Sequence, residues 1–201
     1  MMTKTDIVQL AYLVKPGGMN SALDFWINVL GAGPFFRGVF PLQDEIHKGK
    51  PTNLEMIVAL GYHGDVQIEL IEPTNDAQGP YNDFLATHPT PPVGGSYHHI
   101  MLGGEESYDA LVKRLIDGGA KIAYQARNSM GHRFCYLESD DILAPYIEAL
   151  DAPQWWPEFS DRMRKARSEW RGERPVRDFG ELFGDDSAQI SRDHTSVLQI
   201  D

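Results

Sequence analysis

Four side chains in this chain have types and settings suited to holding a divalent cation: Gln9, Glu69, His99 and Glu148. Each lies in the middle of a short, mostly apolar run, and a strand sends alternate side chains to opposite faces. In residues 7–14, Val8, Leu10 and Tyr12 share one face while Gln9, Ala11 and Leu13 share the other. In residues 66–71, Val66, Ile68 and Leu70 oppose Gln67, Glu69 and Ile71. In residues 96–102, strict alternation sets His98 with Ile100 and Leu102, and His99 with Met101. In residues 145–150, Ile147 and Ala149 oppose Tyr146 and Glu148. A carboxylate in a buried strand is costly unless it is paired or bound to a cation. A lone one is otherwise edge-exposed or salt-bridged. Three oxygen donors and one imidazole, with open positions for water, suit Zn, Ni, Co, Mn or Fe(II). Spacing alone does not establish that the four meet.

These residues require elements to carry them. Residues 5–73 read as strand, helix and three strands, and residues 96–150 repeat that order. The first helix is expected after a cap at Asn20 or Ser21, with Ala22, Phe25, Trp26, Val29 and Leu30 on its apolar face and a stop at Gly31. The second carries Tyr108, Leu111, Val112, Leu115 and Ile116 and stops at Gly118-Gly119. The repeat offset is 90 residues at Gln9/His99 and shrinks to 79 at Glu69/Glu148, as shorter loops in the second copy would give. The expected architecture is therefore α+β: two tandem βαβββ modules forming a cupped mixed sheet, plus a C-terminal helical extension. Module one covers 5–73, a loop connector 74–95, module two 96–150, and the helix and acidic tail 151–201. In the extension, Phe159, Met163, Ala166 and Trp170 form a narrow apolar stripe that packs on the parent domain or serves as a subunit contact or lid.

Composition narrows the partners. The formal charge is −11, with 29 acidic and 18 basic residues, which argues against nucleic acid or an anionic membrane. One cysteine, Cys135, excludes an intrachain disulfide and a cysteine-built zinc site. No apolar run approaches the roughly 20 residues of a membrane helix, and the first residues show no signal core. A reduced, cytoplasmic protein is the expectation. GxGxxG is absent.

Gln9-Leu-Ala-Tyr-Leu-Val14 followed by Ser21-Ala-Leu-Asp-Phe-Trp-Ile-Asn-Val-Leu-Gly31 resembles the opening of the vicinal oxygen chelate superfamily, which includes glyoxalases, bleomycin-resistance proteins and extradiol dioxygenases. Val66-Gln-Ile-Glu-Leu-Ile-Glu-Pro73, Tyr97-His-His-Ile-Met-Leu102 and Tyr146-Ile-Glu-Ala-Leu150 resemble its other ligand strands. Gly131-His-Arg-Phe-Cys-Tyr-Leu-Glu138 resembles a strand of methylmalonyl-CoA epimerase-like members. The resemblance covers residues 5–150. It implies one divalent metal ion in the cup, a small-molecule substrate and a homodimer. Its ligand positions fall on Gln9, Glu69, His99 and Glu148. That set looks like the set of eukaryotic-type glyoxalase I, whereas the rest of the chain looks more like the epimerases.

The chemistry this implies is proton abstraction next to a metal-polarised carbonyl, through an enediolate or enolate, as in lyases, isomerases and epimerases. Glu148 is the first choice for base and Glu69 the second. Arg37 is a candidate for an anionic substrate group, or else a surface salt bridge. Phe36 and Tyr97 are candidate pocket walls. His98 is expected to be a hydrogen-bonded structural residue on the helix side. His47, His63, His88, His132 and His194 are expected at the surface. The competing readings are an Fe(II) extradiol dioxygenase, which would lack its first histidine at Gln9, and a non-catalytic binder of small molecules.

Overall fold

A computed structural model describes residues 5–142, 144–151 and 155–186. The tail beyond 186, with His194, lies outside the described residues. In chain order the elements are β1 (Thr5–Leu13), α1 (Met19–Asp24) continued by a π-turn (Phe25–Val29), β2 (Phe35–Val39), β3 (Leu42–His47), β4 (Lys50–Pro51), β5 (Met56–His63) and β6 (Val66–Pro73). After α2 (Pro80–Thr87) come β7 (Ser96–Gly104), α3 (Tyr108–Asp117), β8 (Lys121–Asn128), β9 (Arg133–Glu138) and β10 (Tyr146–Leu150). The chain closes with α4 (Trp155–Glu169), β11 (Val176–Asp178) and a 3-10 helix (Phe179–Asp186).

All eleven strands join one curved mixed sheet in the order β11-β2-β5-β6-β1-β7-β10-β9-β8-β3-β4. The middle eight are two copies of one pattern. In each, the first strand of the unit lies parallel to the last, as β1 on β6 and β7 on β10. The copies meet where β1 runs antiparallel to β7. The expected repeat of strand, helix and three strands is thus the observed one.

Each helix covers the back of its own half. Met19, Ala22, Leu23 and Trp26 pack on Phe35, Ile68 and Leu70, and Leu111 packs on Cys135, Leu137 and Ala149. The strand residues packed directly beneath the helices are therefore apolar. The start of α1 has no side-chain cap from Asn20 or Ser21. Instead the buried Glu72 carboxylate accepts from the backbone N–H groups of Gly17 and Met19 at 2.8 and 2.7 Å. A carboxylate at a helix start satisfies orphan donors and the dipole together. The hairpin between β5 and β6 turns at Gly64 and Asp65, where Gly64 takes a φ of +60°.

Three segments differ from expectation. Residues 42–51 form the β3–β4 hairpin, which leaves module one and pairs β3 with the outer edge of β8 in module two. Residues 80–87 of the connector form α2, with Pro80 in its first turn. β11 pairs parallel with β2 at the opposite edge. Among the described residues, no helix is long and apolar enough to cross a membrane.

Candidate functional site

The centre of the sheet sets the site by register. Gln9 lies opposite Gln67 on one side and Met101 on the other, and Met101 lies opposite Glu148. One pleat along, Ala11 lies opposite Glu69 and His99, and His99 lies opposite Tyr146. All of these share the front face. The small Ala11 between Glu69 and His99 leaves room for the longer side chains to lean together. One donor atom each from Glu69, His99 and Glu148 falls within 4.8 Å of the others. His99 Nε2 stands 2.8 Å from Glu148 Oε2 and 3.3 Å from Glu69 Oε2. Gln9 is buried beside them, its Nε2 donating to Gln67 Oε1 at 2.8 Å.

Three buried atoms here have no hydrogen bond of acceptable geometry: Gln9 Oε1, Glu69 Oε2 and His99 Nε2. Leaving such atoms unpaired is expensive. Burial lowers the His99 pKa, but the Glu148 and Glu69 carboxylates outweigh it and raise the value to about 9. The cluster therefore calls for positive charge at one point, and two carboxylates, an imidazole and an amide oxygen are a donor set that fits a divalent cation.

His98 is fully buried and fixes how His99 is presented. Its Nε2 faces the Pro80 carbonyl at 3.4 Å, and its Nδ1 faces His99 Nδ1 at 2.9 Å. A carbonyl only accepts, so the His98 proton sits on Nε2. His99 then donates from Nδ1, and its Nε2, protonated between the two carboxylates at neutral pH, is the atom that would face a cation. Burial holds the His98 pKa well below its ordinary value, so His98 stays neutral.

The expected position of His98 on the helix side is corrected by a β-bulge. Ala11 pairs with His99 and Tyr12 with Tyr97, so His98 is an extra residue on β7. A bulge shifts the parity of what precedes it. His98 joins His99 on the front, packed against Tyr81, Tyr136 and Tyr146. The same shift turns Tyr97, expected as a pocket wall, to the back, where it packs with Ile100 and Ile147 and lies 6.0 Å from the Tyr12 ring. Phe36 and Arg37 are consecutive on one strand and face opposite ways. Phe36 joins the front cluster, while Arg37 donates to Asn20 of α1 at 2.8 Å. Glu69, His99 and Glu148 meet at the centre of the cup, Gln9 and Phe36 are buried on the same face, and Arg37 and Tyr97 lie outside.

The walls come largely from segments the sequence did not signal. The hydroxyls of Tyr81 on α2 and Tyr136 on β9 share a 2.9 Å hydrogen bond, and the Tyr136 ring lies 4.7 Å from that of His99. Burial raises both pKa values well above the ordinary, so both stay protonated. The β3 hairpin adds buried Glu45, whose Oε2 accepts from Tyr124 Oη at 2.7 Å and the Leu54 N–H at 2.9 Å. It also adds His47, expected at the surface but buried, 3.0 Å from Asp83 on α2. On the module-one side, α4 buries Phe159 and Met163 in the front cluster with Phe36, Leu60 and Tyr62.

A curved sheet of two repeated four-stranded halves, with acidic and imidazole donors converging at its centre, defines a class of protein. The family model of the Glyoxalase/Bleomycin resistance protein/Dioxygenase superfamily matches residues 9–136. The chain belongs to that superfamily. No curated protein matches the sequence. Solved structures of similar shape include hypothetical protein BH1468 from Bacillus halodurans C-125, 15% identical, with a TM-score of 0.49, covering 74% of this chain and 95% of that one. Methylmalonyl-CoA epimerase from Mycobacterium tuberculosis is 18% identical, with a TM-score of 0.47 and coverage of 78% and 97%. Lactoylglutathione lyase from Agrobacterium tumefaciens is 14% identical, with a TM-score of 0.26 and coverage of 75% and 96%.

Proposed function

We propose that the chain is an enzyme that moves a proton on a carbon next to a carbonyl of a small-molecule substrate, with one divalent cation held by Gln9, Glu69, His99 and Glu148. The observation that carries this reading is the meeting of donor atoms from β6, β7 and β10 within 4.8 Å. The chemistry such a cation supplies is Lewis-acid polarisation of a carbonyl, which makes the adjacent C–H acidic.

Glu148 is the proposed base. Its side chain is 11% exposed, so the carboxylate is held by the sheet yet open to a substrate. Glu69 lies on the other side of His99 and is 15% exposed. Burial raises its pKa, His99 opposes that rise, and Glu148 adds to it. With a carboxylate on each side, a proton taken at one position can be returned at another. That is the step shared by isomerase, epimerase and glyoxalase reactions. His99 holds its ring by the bond to His98, and the neutral tyrosine wall keeps water from that side. Phe36 and the apolar face of α4 line the module-one half. A homodimer forms part of the proposal, and sedimentation velocity reads it.

The test is metal analysis of the purified protein, followed by deuterium exchange into 2-keto acids, hemithioacetals and acyl-CoA thioesters. The expected result is stoichiometric divalent metal and exchange that stops on chelation. Protein with no affinity for Zn, Ni, Co or Mn sinks the reading and leaves a non-catalytic binder.

A further inference from the structure

Gln67 plays no part in the reaction described, yet it is fully buried on the front face directly opposite Gln9. Burying a primary amide needs a reason, because each of its polar atoms wants a partner. Gln67 Oε1 accepts from Gln9 Nε2 at 2.8 Å. On its other end, Gln67 Nε2 lies 3.7 Å from Met163 Sδ of α4. Tyr62, itself buried, lies directly opposite Gln67 across the β5–β6 pair. A thioether can only accept, so Met163 Sδ favours the Gln67 amide nitrogen on that side. The amide is thereby set with its oxygen toward Gln9.

This orientation matters for Gln9. A glutamine side chain has two ends of nearly equal shape, of which only the oxygen binds a hard cation. An unrestrained amide would turn its NH2 toward the cation part of the time. With Gln9 Nε2 committed to Gln67, the remaining Gln9 Oε1 is buried and has no hydrogen-bond partner. The geometry points to Gln67 as the positioning residue that selects the oxygen of Gln9 as a metal donor, itself set by Met163 of the C-terminal helix. The inference rests on the metal reading above. It assigns the extension beyond the repeated modules a part in building the site.

The test measures Co2+ affinity by calorimetry and chelator competition, apart from any turnover. Gln67→Met keeps the volume and deletes the strong acceptor. It is expected to weaken Co2+ binding roughly 10–100-fold, as lost outer-sphere support of a ligand does. Gln67→Glu keeps an acceptor for Gln9 and is expected to retain binding, which serves as the control if Gln67→Met does not fold. In a Gln9→Ala background, Gln67→Met should cost nothing further, because its effect runs through Gln9. Unchanged affinity in Gln67→Met, an equal loss in the Gln9→Ala background, or a loss in Gln67→Glu as large as in Gln67→Met each overturns the inference while the metal reading stands. Wild-type protein that does not bind Co2+ overturns both.

Discussion

Ala11 lies directly opposite His99 in the antiparallel β1–β7 pair. Because Ala11 also faces Glu69 across the parallel β1–β6 pair, the shortest chiral side chain sits between two of the candidate ligands. Ala11 has no exposure to solvent. Ala11→Val adds two methyl groups where Glu69 and His99 must approach. The expected stability loss is about 1–3 kcal/mol from overpacking, with Co2+ affinity falling well beyond what that loss explains. Normal affinity in a folded Ala11→Val variant would show that the ligands do not converge over this position.

Glu148→Gln is expected to lower substrate deuterium exchange by roughly 10²–10⁴-fold, the range that a positioned base contributes. Metal remains partly bound, since an amide oxygen can still donate. Glu69→Gln should lower exchange less. Wild-type exchange in Glu148→Gln removes the base assignment, whatever the metal content.

Met163 is 1% exposed and packs on the front cluster. Met163→Ala should destabilise the protein by about 2–5 kcal/mol, as cavity formation in a core does. A midpoint of urea unfolding that does not move would mean that α4 is not docked as described.

Cys135 is fully buried on β9, and burial raises its thiol pKa to about 11. A thiol reacts as its thiolate. Native protein should therefore resist a thiol reagent at pH 8 and react stoichiometrically once unfolded. Fast labelling of the folded protein contradicts that burial.

Tyr124 and the Leu54 N–H both bond the one oxygen Oε2, so Glu45→Gln can keep an acceptor oxygen for both. Glu45→Ala leaves both donors buried and unpaired. At about 1–3 kcal/mol for each stranded group, Glu45→Ala should lower the thermal midpoint by several degrees more than Glu45→Gln. Equal midpoints would remove Glu45 as the anchor of the β3 hairpin.

Much of the fold was legible because its signals are local. Apolar alternation marked Gln9, Glu69, His99 and Glu148 as front-face residues, and glycines after α3 marked its end. The stripe of Phe159 and Met163 left packing, a subunit contact and a lid open, and both residues are buried in the front cluster. What failed depends on long-range pairing. Strict alternation sets His98 on the helix side, and a bulge against β1 breaks that alternation and turns Tyr97 away from the cup. The segment with Gln43, Asp44, Glu45 and His47 looks like a polar loop. It becomes a strand only because the β8 edge offers it hydrogen-bonding partners. Glu72 looks like one more surface carboxylate, yet the fold brings it to the start of α1. Gln67 carried no signal, since its meaning lies in what stands beside it on another strand.

The two outermost strands have a consequence for how the molecule behaves in company. At one border the last ribbon is β11, three residues long, and at the other it is β4, two residues ending in Pro51. Stubs of this kind expose few free amides and carbonyls to a neighbouring chain, and proline removes a donor. Lateral growth of copies, strand added to strand, finds almost no template on either flank. Association between folded molecules is thereby steered away from fibre-like stacking and toward contacts between faces.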